Sequence, residues 1–145
     1  MGFCITDAVN ALKDETAWQI TPVDLSFEQY KGMIVYGIKR LMIDTGRALA
    51  YDDNMLYTQN EKEYFELDLA IDEEEYVFLT AQIQFFRRVQ LDSNTAVSYT
   101  TNAMSVTQAN KPYEHLQDTI EKLEARRREL YYRMVRYALD YAISD

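Results

Sequence analysis

The residues best suited to chemistry in this chain are charged, and they fall in two groups. One is the run Arg126-Arg127-Arg128 inside "IEKLEARRRELYYRM", residues 120–134. The other is the stretch from Asp52 to Glu75, where ten acidic residues accompany a single cation, Lys62. Glu66 and Asp68 lie two apart in "YFELDLA", so on a strand they share a face and could hold magnesium. A catalytic magnesium site needs further converging ligands and usually a lysine or histidine. A solvated strand face is therefore the expected role. "YDDNMLYTQNEKE" lacks the alternating ligands and central glycine of a calcium loop. With one histidine, His115, and one cysteine, Cys4, paired-histidine metal centres and an internal disulfide are excluded, and little remains for a catalytic triad. No glycine-rich phosphate loop or nucleophile elbow occurs. The expectation is a protein that is not an enzyme and uses no cofactor or metal.

The arginines ask for a different explanation. Glu121, Glu124 and Arg128 make i,i+3 and i,i+4 pairs on a helix, which accounts for Arg126 and Arg128 as an ordinary charged surface. Arg127 does not fit. Tyr113, Leu116, Ile120, Leu123, Leu130, Met134, Tyr137 and Tyr141 recur three and four apart, and Arg127 takes the one seam position left. A buried guanidinium without partners is costly, so Arg127 is expected to meet a carboxylate or backbone carbonyls. A nucleic-acid stripe that adds Arg133 and Arg136 is interrupted by Glu121, Glu124 and Glu129. A protein partner fits better.

Composition sets the frame for both groups. A chain of 145 residues with four Gly and two Pro suits one helical domain spanning 1–145. Twelve tyrosines suit a protein with interfaces, where tyrosine is enriched. The net charge of −9 resides wholly in the segment from Asp52 to Glu75; the remaining fourteen basic and fourteen acidic residues cancel. Such a chain is a poor non-specific binder of nucleic acid and is repelled by anionic lipid. It has no run of about 18 apolar residues to span a membrane, and no signal peptide opens it. "MGFCIT" matches a myristoylation pattern at Gly2 and Thr6, but a helix starting near Thr6 is the simpler expectation.

The elements that position these residues can be read in order. Ile5, Val9 and Leu12 mark a short first helix capped by Thr6. Ser26 and Gln29 form a capping box, with Leu25 and Tyr30 as a hydrophobic staple, for a second helix extending to residue 49. Its three glycines either mark a close approach by another backbone or are merely tolerated. Residues 51–70 read as an acidic hairpin, with "NMLYT" pairing to "YFELDLA". Asp72 and Glu75 predict the cap of a third helix, with Ile71 and Tyr76 as its staple. That helix is apolar on two sides and so central, and it is expected to end near Leu91. Residues 92–111 show no helical stripe; "AVSYT" and "AMSVT" predict an extended arm that pairs with a neighbouring chain. A long last helix, 112–143, completes the chain. The fold class expected is mainly α: a small helical bundle with a long C-terminal helix and short β-hairpin-like arms.

In this order of elements, and in "SYTTNAMSVTQANKPYEHLQDTIEKLEARRREL" leading into the last helix, the chain resembles the head–tail connector (adaptor) proteins of tailed bacteriophages. The resemblance covers roughly residues 20–140. It implies a homo-oligomeric ring, a dodecamer, at the portal or neck of the virion, assembled in the host cytoplasm. Implied partners are the portal protein and the next neck or tail protein, with DNA passing through unread. Candidate interface residues are Arg126, Arg127, Arg128, Tyr99, Met104, Val106, Tyr131, Tyr137 and Tyr141. Asp52, Asp53, Glu61, Glu63, Glu66, Asp68, Glu73 and Glu74 would line the lumen or meet basic residues of a neighbour. The alternative is an acidic DNA mimic that binds a basic host enzyme, or a helical assembly subunit unrelated to virions.

Overall fold

A computed structural model describes residues 2–17, 25–46, 51–100 and 106–143, with side chains for 2–17, 25–46, 51–91 and 115–136. The fold is mainly α, with a small antiparallel sheet. Strand β1 (Phe3–Cys4) runs directly into α1 (Ile5–Thr16), followed by α2 (Phe27–Thr45), β2 (Leu56–Gln59), β3 (Lys62–Phe65), α3 (Ile71–Thr100) and α4 (Val106–Ile143).

Local signals explain most of the starts and stops. Ser26 and Gln29 close a full capping box on α2, and Leu25 and Tyr30 both pack against the core beside it. The helix stops at Thr45, short of residue 49. Gly46 takes a left-handed φ of 65°, and its N–H reaches the carbonyls of Met42 and Ile43. α1 begins one residue before Thr6, which does not cap it. Thr6 Oγ1 instead accepts the Glu63 amide at 2.9 Å, tying α1 to β3. α3 also starts earlier than its acidic signature predicts: Glu73 Oε1 accepts the Ala70 amide at 3.0 Å, so the reciprocal contact sits two residues upstream of Asp72 and Glu75. Ile71 is 84% exposed and staples nothing.

The acidic hairpin forms, with a narrower ladder than the alternation suggests. Asn60 and Glu61 make a two-residue turn with φ of 53° and 66°, the left-handed pair that matches strand twist. Phe65 is fully buried and faces Phe3 on one side and Leu56 on the other, giving the strand order β1-β3-β2. Beyond Phe65 the chain leaves the ladder. Leu67 and Leu69 still pack on the core, but Glu66 and Asp68 are exposed outside any strand.

The core has two connected parts. Ile5, Val9 and Leu12 of α1, Ile34, Ile38 and Leu41 of α2, Phe65, and Val77 and Leu79 of α3 make one, reached by Leu130 of α4. Ile83, Phe85, Phe86 and Val89 of α3 meet Leu116 and Ile120 of α4 in the other. α3 therefore is the central helix its two apolar faces require.

The expected extended arm at 92–111 is not an arm. Residues 92–100 complete α3 and 106–111 open α4, while 101–105, with Met104, lie outside the described residues. Ser, Thr, Val and Asn have weak helix propensity, so "AVSYT" reads as strand by composition. A helix already nucleated on a core adds residues cheaply, however, and propagation carries α3 through to Thr100. The last helix likewise starts at Val106 rather than Pro112, although Pro112 has no N–H to bond the preceding turn.

Of Gly32, Gly37 and Gly46, Gly37 marks a close approach. A Cβ there would lie 2.5 Å from the carbonyl oxygen of Val77, so α2 and α3 cross with backbones nearly touching. Gly37→Ala should cost about 1–3 kcal/mol by overpacking. Gly32→Ala, where a Cβ meets nothing within 4 Å, should stabilise by about 0.5–1 kcal/mol. Urea denaturation of the two variants measures both, and equal effects would contradict the tight crossing.

Candidate functional site

α3 and α4 run antiparallel, and a ladder of polar pairs crosses between them. From the end near the connection it comprises Gln90 to Gln117 at 2.9 Å, Arg87 to Glu124, Arg127 to Thr80 at 3.4 Å, Arg126 to Glu75 at 2.9 Å and Arg133 to Asp72 at 3.1 Å. The arginine run thus meets the acidic segment inside one chain. Arg126 and Arg133 take up Glu75 and Asp72 on exposed helix surface, where such pairs contribute little individually.

Arg127 points inward from the seam, as its position requires, but what it meets belongs to its own chain. Its Nη1 donates to Thr80 Oγ1, a fully buried hydroxyl that itself donates to the Tyr76 carbonyl at 2.9 Å. One turn away the Tyr76 hydroxyl donates to Asp44 Oδ2, and Arg40 Nη2 holds the other carboxylate oxygen at 2.8 Å. The expected carboxylate or carbonyl partner is replaced by a hydroxyl, with the Tyr76–Asp44 pair as its setting. This network joins α2, α3 and α4. Its cause is simple: five polar side chains reach one partly dry junction, and each finds a partner there. Thr80 is an aliphatic hydroxyl set between buried apolar residues of α3, and that is the sequence signal for the network.

Burial raises the Tyr76 pKa above the ordinary tyrosine range, reinforced by the bond to Asp44 and opposed by Arg127. Tyr51, stacked on Phe65, is pushed up to about 12, first by burial and then by its bond to Asp53.

Beside the network lies a cleft of about 370 Å³ with Arg87, Glu124, Arg127, Arg128 and Tyr131 in its walls. Tyr131 is half-buried against the core. Tyr99, Val106, Tyr137 and Tyr141 lie on α3 and α4, with side chains outside the described residues. His115 is exposed.

Several of the candidate carboxylates are engaged close to their own positions. Asp52 accepts the Asn54 amide in a short 3-10 turn, Asp53 serves Tyr51, and Glu73 caps α3. Lys31 Nζ lies 2.6 Å from Glu63 Oε1, a close ion pair. That contact raises the Lys31 pKa. Lys62 bonds Asp7 at 3.0 Å. Glu61, Glu66 and Glu74 are exposed and have no ion-pair partner among the described residues. Among the described residues no group of three or more His, Cys, Asp or Glu could hold a metal ion, and no helix is long and apolar enough to cross a membrane.

No protein-family model, curated protein or solved structure matches this chain.

Two outcomes check the network. Arg127→Ala should cost about 1–3 kcal/mol, because it strips a packed stem and a partner from the buried Thr80, whereas Arg126→Ala should cost less than about 1 kcal/mol. Chemical denaturation distinguishes them. The second concerns alkaline pH. Tyr51 and Tyr76 hold their protons more tightly folded than unfolded, so the stability they contribute is complete below the ordinary value of 10.0 and is lost as pH rises through the folded values. The urea midpoint should therefore fall between pH 10.0 and about 12, and Tyr51→Phe with Tyr76→Phe should flatten that fall.

Proposed function

We propose that this chain is a non-enzymatic structural subunit of the head–tail connector type. In this reading it forms a homo-oligomeric ring at the portal vertex of a tailed bacteriophage. It binds the portal protein and the next neck or tail protein, and it continues the channel through which DNA passes. The ring would be built in the host cytoplasm and retained in the virion.

The observation that carries the reading is a mismatch of lengths. α1 and α2 have 12 and 19 residues, whereas α3 and α4 have 30 and 38. Among the residues whose side chains are described, the buried core extends to Val89 on α3 and to Leu116 on α4. Past these residues the antiparallel pair continues for about 15 Å. A helical hairpin longer than its own body needs is suited to reaching a neighbour. Glu61, Glu66 and Glu74 are exposed without an ion-pair partner among the described residues, and carboxylates of this kind lining a channel repel phosphate and let DNA pass without sticking. The DNA-mimic alternative asks for rows of free carboxylates, yet Glu63, Asp72 and Glu75 are bound to Lys31, Arg133 and Arg126 of the same chain.

Electron microscopy of the purified protein mixed with portal protein tests the proposal, with a ring on the portal as the expected result. A variant lacking residues 95–107 should keep its helical circular dichroism and cooperative unfolding but lose the ring. Absence of any portal complex with the intact chain would refute the reading.

A further inference from the structure

We infer that the cleft beside Arg127 and Arg128 is a carboxylate receptor for a second copy of this chain, and that the hairpin tip at Glu61 is what enters it. The inference rests on the assembly reading above and names the contact that would build the assembly.

Charge distinguishes this cleft. Arg40 is neutralised by Asp44 and Arg87 by Glu124. Arg127 has only the Thr80 hydroxyl at 3.4 Å, and Arg128 has no ion-pair partner among the described residues. Asp44 and Glu124 also line the cleft, but Arg40 and Arg87 take them up, so Arg127 and Arg128 are its two guanidinium groups without a carboxylate among the described residues. Arg127 is held by its neighbours and Tyr131 forms a wall, so the donors are already arranged before anything binds. A guanidinium fork matches the two oxygens of a carboxylate.

The same chain supplies a complementary group. Glu61 stands on the two-residue turn between β2 and β3, exposed and without an ion-pair partner among the described residues. Its neighbours are occupied, Lys62 by Asp7 and Glu63 by Lys31, so neither competes with it at the tip. Glu61 does not line the cleft of its own chain, and its hairpin is anchored on α1 through Thr6 and Glu63. Donor and acceptor are thus different patches of one surface. Such a contact is heterologous, the kind that closes into rings or extends into filaments.

Sedimentation velocity at low salt on four samples tests this: Arg128→Glu, Glu61→Arg, the chain carrying both changes, and an equimolar mixture of the two single variants. Circular dichroism should be unchanged throughout, since both side chains are exposed. Each single reversal should weaken self-association about tenfold or more, and both the double variant and the mixture should regain it. Single variants that assemble like the unaltered chain, or a mixture that fails to recover, would overturn the inference and leave the connector reading standing. An unaltered chain that stays monomeric both alone and with portal protein would overturn the two together.

Discussion

Helix α3 carries apolar side chains on two faces, and only a neighbour on each side can take both out of water. α2 covers one, approaching so closely at Gly37 that its backbone nearly touches the Val77 carbonyl. α4 covers the other through Leu116, Ile120 and Leu130. Most other features follow from this sandwich. α1 and the small sheet close the end around Phe65, and the Tyr76–Asp44 and Thr80–Arg127 contacts fill the junction where three helices converge. Burying a polar junction is tolerable only because each group there has a partner.

The charge pattern makes sense against the same geometry. The acidic segment is not a uniform field. Asp72 and Glu75 at the start of α3 pair with arginines of α4, Glu63 of the hairpin meets Lys31 of α2, and the hairpin's own Lys62 is taken up by Asp7 of α1. What the linear count shows as a block of −9 is, in space, partly tied up within the chain, through Glu63, Asp72 and Glu75. The arginine run is divided the same way among surface, seam and cleft.

Where a residue's role depended on period or on a local cap, the sequence was legible. Ser26 and Gln29, the stripe of Ile34, Ile38 and Leu41, the double face of α3 and the inward direction of Arg127 all follow from spacing alone. Roles set by tertiary context were not. "AVSYT" has strand composition but continues a helix, because a nucleated helix outweighs weak local preferences. Thr6 resembles a cap but serves Glu63. The seam of α4 suggested surface left for a neighbour, whereas through Met134 it is covered by the chain's own core. The Asp44–Tyr76 pair joins residues 32 apart, a separation that no local pattern reports.

The ladder between α3 and α4 also bears on how the chain reaches this state. Its rungs span 27, 37, 47, 51 and 61 residues along the chain. Each lies further from the turn along α3, and all but Glu75–Arg126 close around the one before, so once the innermost rung has formed, every later rung adds only a short segment to a loop already closed. The entropy of closure grows slowly with loop length, so the outer rungs follow at little extra cost. The helical hairpin can therefore zip from its turn toward its base, and the long reach from Asp72 to Arg133 need never be found by open search.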